Sequence, residues 1–292
     1  MQQFVNVTLG GLVQGFIYAA FALALVLIWR STRIVNFAQG SMAAATSFIA
    51  LSLIHGGQSY WIALIVALAS GFVLGGLIER VIVRPVEQGP ELNPVIVTLG
   101  LFIAIEALIA IISGSSFQSF PAPFGLQGLS VGGSRIAFTP NDIFIIVAVL
   151  ITMGLLIVLF QYTRAGLAMR ASAFGQEVAR LLGVRVGRML TLGWALAAVV
   201  GSLSGLLIAG GGLVSPYYME SVIVFGFVAA VLGGLDSAIG AVVGGLLLGL
   251  LLSYVSGYLN SSLVSLAALV ILMVVLLVRP SGLFSSSVQR RA

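Results

Sequence analysis

The sequence predicts an all-α protein, a polytopic bundle of transmembrane helices that occupies residues 1–292 as a single domain. Hydrophobic residues make up 60% of the chain, charged residues 7%, and the mean hydropathy is +1.19, which leaves too little polar surface to cover a soluble globule. The apolar runs are long and unbroken. This favours helices over the short alternating strands of a membrane barrel, because a helix satisfies its own backbone hydrogen bonds in lipid.

About nine membrane segments result when each apolar run of roughly 20 residues is taken as one span. They cover residues 4–29, 37–54, 60–79, 94–112, 143–161, 190–210, 221–235, 238–255 and 262–278. The first run is too long for the apolar core of a cleavable signal, which has about 7 to 15 residues, so it is expected to stay in the membrane.

The positions of the arginines predict the orientation of the bundle. With nine spans, twelve of the thirteen arginines fall on one side of the membrane and Arg135 falls on the other. The twelve are Arg30, Arg33, Arg80, Arg84, Arg164, Arg170, Arg180, Arg185, Arg188, Arg279, Arg290 and Arg291. The positive-inside rule then places the N-terminus outside and the C-terminus in the cytoplasm. Topology and anionic lipid account for the net charge of +5, so no nucleic-acid partner is expected.

Missing residue types exclude several kinds of chemistry. The chain has no lysine, no cysteine and one histidine. Without lysine it cannot form a Walker A phosphate loop or a Schiff base, and without cysteine it has no thiolate nucleophile or ligand. His55 lies in a short loop that offers no further metal ligands. The sequence therefore predicts no catalytic residues, no metal site and no cofactor bound in this chain.

Two loops are long enough to carry contacts. The outer loop, residues 113–142, is rich in Ser, Gly and Pro, and residues 129–138 predict a small hairpin that turns at Gly132-Gly133. This loop is either a docking surface or a plain connector.

The cytoplasmic loop, residues 162–189, contains a helical apolar pattern. Phe174, Val178, Leu181 and Leu182 cluster on one side, which predicts a short amphipathic helix outside the membrane. Such a helix suits a cleft on a partner protein, and the alternative is a helix that lies on the lipid surface.

Glycine is used heavily, with 36 residues, and its spacing predicts close helix contacts. One stretch interrupts two rather short spans, which is typical of re-entrant or pathway-lining segments. Its glycines are Gly233, Gly234, Gly240, Gly244 and Gly245. Asp236, within this stretch, is expected to act as a solvated helix cap.

Four polar side chains within apolar spans are candidates for a translocation pathway. Glu106 lies deep in the fourth span, where a carboxylate must be protonated, paired or facing water. Asn36, Gln39 and Thr98 lie at the inner ends of spans, where helix capping explains them nearly as well. An ion-coupled secondary transporter or a channel would share this fold, although an ion-coupled carrier usually places several ionisable groups at membrane depth.

Several segments, in order along the chain, resemble the inner-membrane permeases of the branched-chain amino acid type of ABC importer, the LivH-like subunits. These segments are residues 34–40 (IVNFAQG), Arg84-Pro85 with residues 94–100 (PVIVTLG), residues 170–173 (RASA), residues 177–183 (EVARLLG), residues 231–245, and residues 279–284 (RPSGLF). Residues 177–183 follow the EAA-x-x-x-G spacing of the family's coupling loop, with valine in place of the middle alanine.

The resemblance implies a division of labour between subunits in the bacterial plasma membrane. This chain would form the pathway, and two separate ATPase subunits, which would bind ATP and Mg, would grip a coupling helix built from Glu177, Val178, Ala179, Leu182 and Gly183. An extracytoplasmic binding protein would deliver the substrate. The second permease would be a LivM-like chain, with a homodimer as the alternative.

Some positions depart from the family pattern and bear on the substrate. Gln39 stands where histidine is common in relatives, and Glu106 stands where an amide is usual. The resemblance therefore leaves other amino acids, urea or short amides, and small carboxylates open beside branched-chain amino acids.

Overall fold

A computed structural model describes residues 2–87, 89–90, 92–131 and 134–284. It confirms the predicted all-α class. Eleven α-helices lie within the described residues: α1 (Gln2–Thr32), α2 (Gln39–His55), α3 (Tyr60–Leu77), α4 (Leu92–Ser113), α5 (Pro140–Tyr162), α6 (Arg164–Phe174), α7 (Gln176–Leu181), α8 (Val186–Ala209), α9 (Glu220–Gly233), α10 (Ala238–Tyr254) and α11 (Val264–Val278). A π-helix, Ile78–Val83, extends α3, and a second π-helix, Val255–Leu259, extends α10; a 3₁₀ turn, Ser261–Leu263, then leads into α11.

The prediction of about nine spans is not confirmed in full. Each of the nine predicted segments is helical, but within the described residues seven helices are long and apolar enough to cross a membrane by themselves. The two that fall short are α2, with 17 residues, and α9, with 14. At 1.5 Å per residue α9 extends about 21 Å, less than the roughly 30 Å of a hydrocarbon core.

Helix α1 is the centre of the bundle. In the most apolar 18-residue stretch of α1, 83% of the residues are buried, whereas only 6% are buried in the corresponding stretch that contains α11. Gly11 and Gly15 let α10 approach closely: a Cβ on Gly11 would lie 2.8 Å from Ser253 Cβ, and one on Gly15 would lie 2.9 Å from Leu246 Cα. The predicted small-residue contacts are confirmed here, and buried large side chains of α1, among them Phe21 and Ile28, also pack in the bundle.

A glycine-to-alanine pair tests this packing. A methyl group on Gly249 of α10 would collide with the backbone of Gly15, so Gly249→Ala should destabilise the bundle by about 2 kcal/mol and lower its melting temperature in detergent by several degrees. Gly154→Ala in α5 is the matched control, because open space surrounds Gly154 and alanine favours the helix. Equal melting temperatures for the two variants would contradict the close α1–α10 contact.

The glycine-rich stretch forms a tight turn between two antiparallel helices. Helix α9 ends at Gly233, Gly234 takes a φ of +104°, and Ser237 starts α10 by accepting a hydrogen bond from the backbone N–H of Gly240 at 2.9 Å. Gly240 packs on the backbone of Gly233. Gly244 packs on Ala229 in the same way, and Gly245 faces the backbone of Ala19 in α1. These glycines therefore allow three helices to meet backbone to backbone.

Two further contacts fix this turn. Asp236 forms an ion pair with Arg33, which follows α1 and has a φ of 60°, so the expected capping role of Asp236 is wrong and Ser237 takes it. After α11 the chain returns to the turn, where the N–H groups of Leu283 and Phe284 donate to the carbonyls of Leu232 and Gly233 at 2.9 and 3.1 Å. The segment 279–284 is therefore attached to the glycine-rich turn through backbone hydrogen bonds.

The long 113–142 loop is tied to the loop that follows α8. Strand β1 (Gln118–Ser119) pairs antiparallel with β4 (Leu213–Val214), a contact that the sequence pattern does not indicate. The predicted hairpin is confirmed by β2 (Ser130–Val131) and β3 (Ser134–Arg135), which pair antiparallel. Its predicted turn residues, Gly132 and Gly133, lie outside the described residues.

Candidate functional site

The predicted coupling helix is part of a two-helix segment. Helix α6 starts at Thr163, whose hydroxyl accepts from the N–H of Gly166 at 3.0 Å, and it ends at Phe174. Gly175 breaks the chain, and α7 then covers Gln176–Leu181. The prediction of a single helix that contains Phe174 and Leu182 is therefore wrong, because the extended backbone at Gly175 separates two short helices.

Helix α7 is anchored by one small residue and displays its apolar ones. Ala179 is 1% exposed and packs in a cluster with Val186 and Leu190 at the start of α8. Val178 and Leu182 are 60% and 75% exposed. Val178 and Leu182 therefore form part of an exposed apolar surface on this side of α7.

The exposed side chains surround a shallow cavity of about 370 Å³ between α6 and α7. Its lining includes Leu167, Arg170, Phe174, Val178 and Leu182. We call this set the α6–α7 surface. Its apolar area and single guanidinium suit a protein partner with an apolar anchor and a carboxylate.

The ends of α7 have clear physical causes. Glu177 lies exposed in the first turn, where a carboxylate is favoured by the helix dipole. Gly183 takes a φ of +81° and its N–H donates to the carbonyl of Arg180 at 3.0 Å, which terminates the helix at a position that favours glycine. Glu177 thus favours the start of α7 and Gly183 its end, so the number of residues between them matches the length of this short helix.

Asn36 and Gln39 form one buried hydrogen-bonded group at the start of α2. The Asn36 amide nitrogen donates to Gln39 Oε1 at 3.2 Å, and its Oδ1 accepts from the N–H of Ala38 at 3.1 Å. Gln39 donates in turn to the carbonyl of Ala197 in α8 at 2.9 Å. Both residues are nearly inaccessible, so within this chain they fix the turn before α2 and attach α2 to α8, and neither side chain caps α2.

Thr98 lies beside the same segment. Its hydroxyl is near the Val35 carbonyl, at 3.5 Å, and donates to the Val95 carbonyl at 3.0 Å. The structure thus brings three of the four predicted pathway residues to the connection between α1 and α2.

Glu106 is separate from that group, two turns further along α4. The residue is 5% exposed, and its Oε1 atom is buried without a hydrogen-bond partner among the described residues. Glu220, at the start of α9, is close enough to interact with it electrostatically. The structure therefore places a second carboxylate in the neighbourhood of Glu106.

Other polar groups were missed by sequence reasoning. Gln14 is exposed on α1, one turn from the buried Tyr18, and must face water or another subunit to avoid lipid. Glu79, at the end of the third predicted span, is 1% exposed and paired with Arg84 at 2.7 Å. A single glutamine within an apolar run and an ordinary boundary glutamate give no motif by which to find them.

The fold and these sites define a class, a polytopic helical membrane protein with an exposed apolar surface outside its long apolar helices. The chain belongs to a particular family within that class, described as the permease component of the branched-chain amino acid transport system, whose pattern matches residues 7–278. Members of this family are transport subunits and not enzymes. The family, together with the seven long apolar helices among the described residues, identifies the chain as a multi-pass inner-membrane protein.

Individual relatives agree with the family. The chain is 28% identical over 259 residues to the high-affinity branched-chain amino acid permease protein LivH of Salmonella typhimurium, covering 83% of this chain and 81% of the relative. It is 30% identical over 259 residues, with the same coverage, to BraD of Pseudomonas aeruginosa. The fructose import permease protein FruF of Bifidobacterium longum is 24% identical over 227 residues, 73% of this chain and 61% of FruF.

A solved structure shows the same fold. A chain of PsaBC from Streptococcus pneumoniae, in complex with Fab, superposes with a TM-score of 0.52 at 14% identity, over 96% of this chain and 93% of that one. At that identity the likeness concerns the fold alone.

Proposed function

We propose that this chain is the pathway-forming permease subunit of an ATP-driven ABC importer. The α6–α7 surface is the observation that carries the proposal, because it offers an exposed apolar site next to the start of a buried membrane helix. Two ATPase subunits that bind ATP and Mg would dock there, and their closure would drive alternating access. The sequence supports this division, since the chain lacks the lysine of a phosphate loop.

The remaining assembly follows from the same proposal. The α6–α7 surface and the C-terminus lie in the cytoplasm, and the 113–142 loop, tied through β1 and β4, receives an extracytoplasmic binding protein. A LivM-like chain completes the pathway. Helices α2 and α9 also cross or enter the membrane, and the glycine-rich turn between α9 and α10 brings short helices to the pathway.

The proposed substrate is a branched-chain amino acid or a related small polar solute, such as another amino acid, urea or an amide. The LivH and BraD relatives support branched-chain amino acids. FruF, named for fructose import, supports a wider range of solutes. Glu106, with Asn36, Gln39 and Thr98 nearer the α1–α2 connection, provides the polar groups that we assign to the pathway.

Reconstitution tests the proposed energy source. Proteoliposomes that contain this chain with its second permease, ATPases and binding protein should take up radiolabelled leucine when ATP is supplied on the ATPase side. Liposomes with this chain alone should show no uptake under an imposed proton or sodium gradient. Gradient-driven uptake by the chain alone would instead support the alternative, an ion-coupled carrier or channel.

A further inference from the structure

An ion pair between a buried glutamate and a partly exposed arginine closes the end of α3. The Glu79 carboxylate is 1% exposed and lies in the π-helix Ile78–Val83. Arg84 grips both of its oxygens: Nε donates to Oε1 at 2.9 Å, and Nη2 lies 2.7 Å from Oε2. A buried carboxylate requires such a partner, because an unpaired charge in this position is strongly unfavourable.

The same guanidinium reaches the start of α8. Arg84 Nη2 lies 2.6 Å from the Gly187 carbonyl and 2.6 Å from the Thr191 hydroxyl. Thr191 donates to Glu79 Oε2 at 2.7 Å. We call Glu79, Arg84, Gly187 and Thr191 the α3–α8 clamp. Residues from two distant parts of the sequence thus share one partly buried polar network.

The clamp lies next to the contact between α7 and α8, where Ala179 packs with Val186 and Leu190, on either side of Gly187. Glu87, shortly after Arg84, interacts electrostatically with Arg84 and with Arg180 of α7. Burial and the neighbouring Glu79 raise the pKa of Glu87, whereas Gln176 and the two arginines act in the opposite direction. The clamp therefore joins the end of α3 to the first turns of α8, at the point where α8 contacts α7.

Helices α3 and α8 can move as one body. A Cβ on Gly75 would lie 2.6 Å from the Trp194 carbonyl, and Gly71 packs directly on Ser202. Contacts this close leave little freedom for sliding. A displacement of α7 would reach both helices through the clamp at their common end.

We propose that Arg84 is a positioning residue that couples α7 to the α3–α8 pair, so that ATPase movement at the α6–α7 surface changes the pathway. This inference rests on the proposed function. The π-helix gives it a structural basis, since π-turns inside α-helices frequently occur at functional sites and here the turn presents Glu79 to Arg84. Arg84 needs the planar guanidinium, because an ammonium cannot make the two-pronged contact with Glu79 and still reach α8.

The test measures coupling in the reconstituted complete transporter. Arg84→Gln should leave ATPase subunits bound and ATP hydrolysis active, while substrate molecules transported per ATP fall about tenfold, a size typical of coupling between sites. Arg84→Lys should give an intermediate loss. Arg80→Gln is the matched control, because Arg80 lies exposed in the same π-helix, and its ratio should equal that of the unmodified protein.

A double variant separates coupling from stability. Arg84→Gln alone leaves Glu79 unpaired, whereas Glu79→Gln with Arg84→Gln removes both charges and should restore the melting temperature without restoring the transport ratio. A normal number of substrate molecules transported per ATP in either variant would overturn the inference. A double variant that does not regain the melting temperature of the unmodified protein would overturn it as well. An unmodified complex that transports without ATP would instead reject the proposed function itself.

Discussion

Val178→Asp and Leu182→Asp should each release the ATPase subunits from the permease. Both side chains line the α6–α7 surface and are exposed in the isolated chain, so an aspartate costs little until a partner covers it. Docking would then bury an unpaired carboxylate against apolar groups, at a cost of about 3 kcal/mol, which corresponds to roughly 100-fold weaker association. Co-purification with the ATPases and substrate-stimulated ATP hydrolysis measure this effect.

A matched substitution elsewhere controls for the added charge. Phe117 is an apolar residue of the 113–142 loop and is 71% exposed. Phe117→Asp therefore adds the same charge at an exposed apolar position away from the α6–α7 surface. It should leave ATPase association unchanged. If the Val178 and Leu182 variants also retain full association and transport, the ATPases dock somewhere other than the α6–α7 surface.

Hydropathy predicted where the helices lie, because the requirement to bury apolar residues in lipid acts on composition over about 20 residues. It did not distinguish α2 and α9 from full spans, since their shortness depends on where the backbone turns. For α9 that point is set by Gly234, and for α2 it is set by the bonded pair Asn36 and Gln39. The small-residue contacts were predictable because close approach requires glycine at regular helical spacing.

The α3–α8 clamp could not be predicted from the sequence. Glu79 and Arg84 are five residues apart, a spacing that does not place side chains together on an α-helix, and the π-turn brings them into contact. Their third partner, Thr191, is more than a hundred residues away, and only the packing of α3 on α8 brings it close. The Glu177–Gly183 segment, by contrast, is local in the sequence, so its spacing sufficed to indicate where α7 lies.

Glu106→Leu should reduce transport about tenfold or more, whereas Glu106→Gln should retain most of it. The Glu106 side chain is 95% removed from solvent, and its Oε1 atom is buried with no hydrogen-bond partner among the described residues. This oxygen needs a partner, and we assign that partner to water or solute that reaches it when the pathway opens. Leucine removes the polar group and leaves its site without a donor or acceptor, a loss of about 1–3 kcal/mol. Glutamine keeps a hydrogen-bonding group and removes the repulsion from Glu220.

Controls on the same helix make this comparison specific. Ile103 is 65% exposed on α4, so Ile103→Leu should leave uptake unchanged and show that leucine itself is tolerated in this helix. Glu220→Gln removes the second carboxylate and, like Glu106→Gln, should preserve uptake if polarity and not proton transfer is required. Loss of uptake in both glutamine variants, with assembly intact, would mean that the titratable protons of this pair are essential. The polar role of Glu106 would then be wrong, and ion coupling would be the better account of transport.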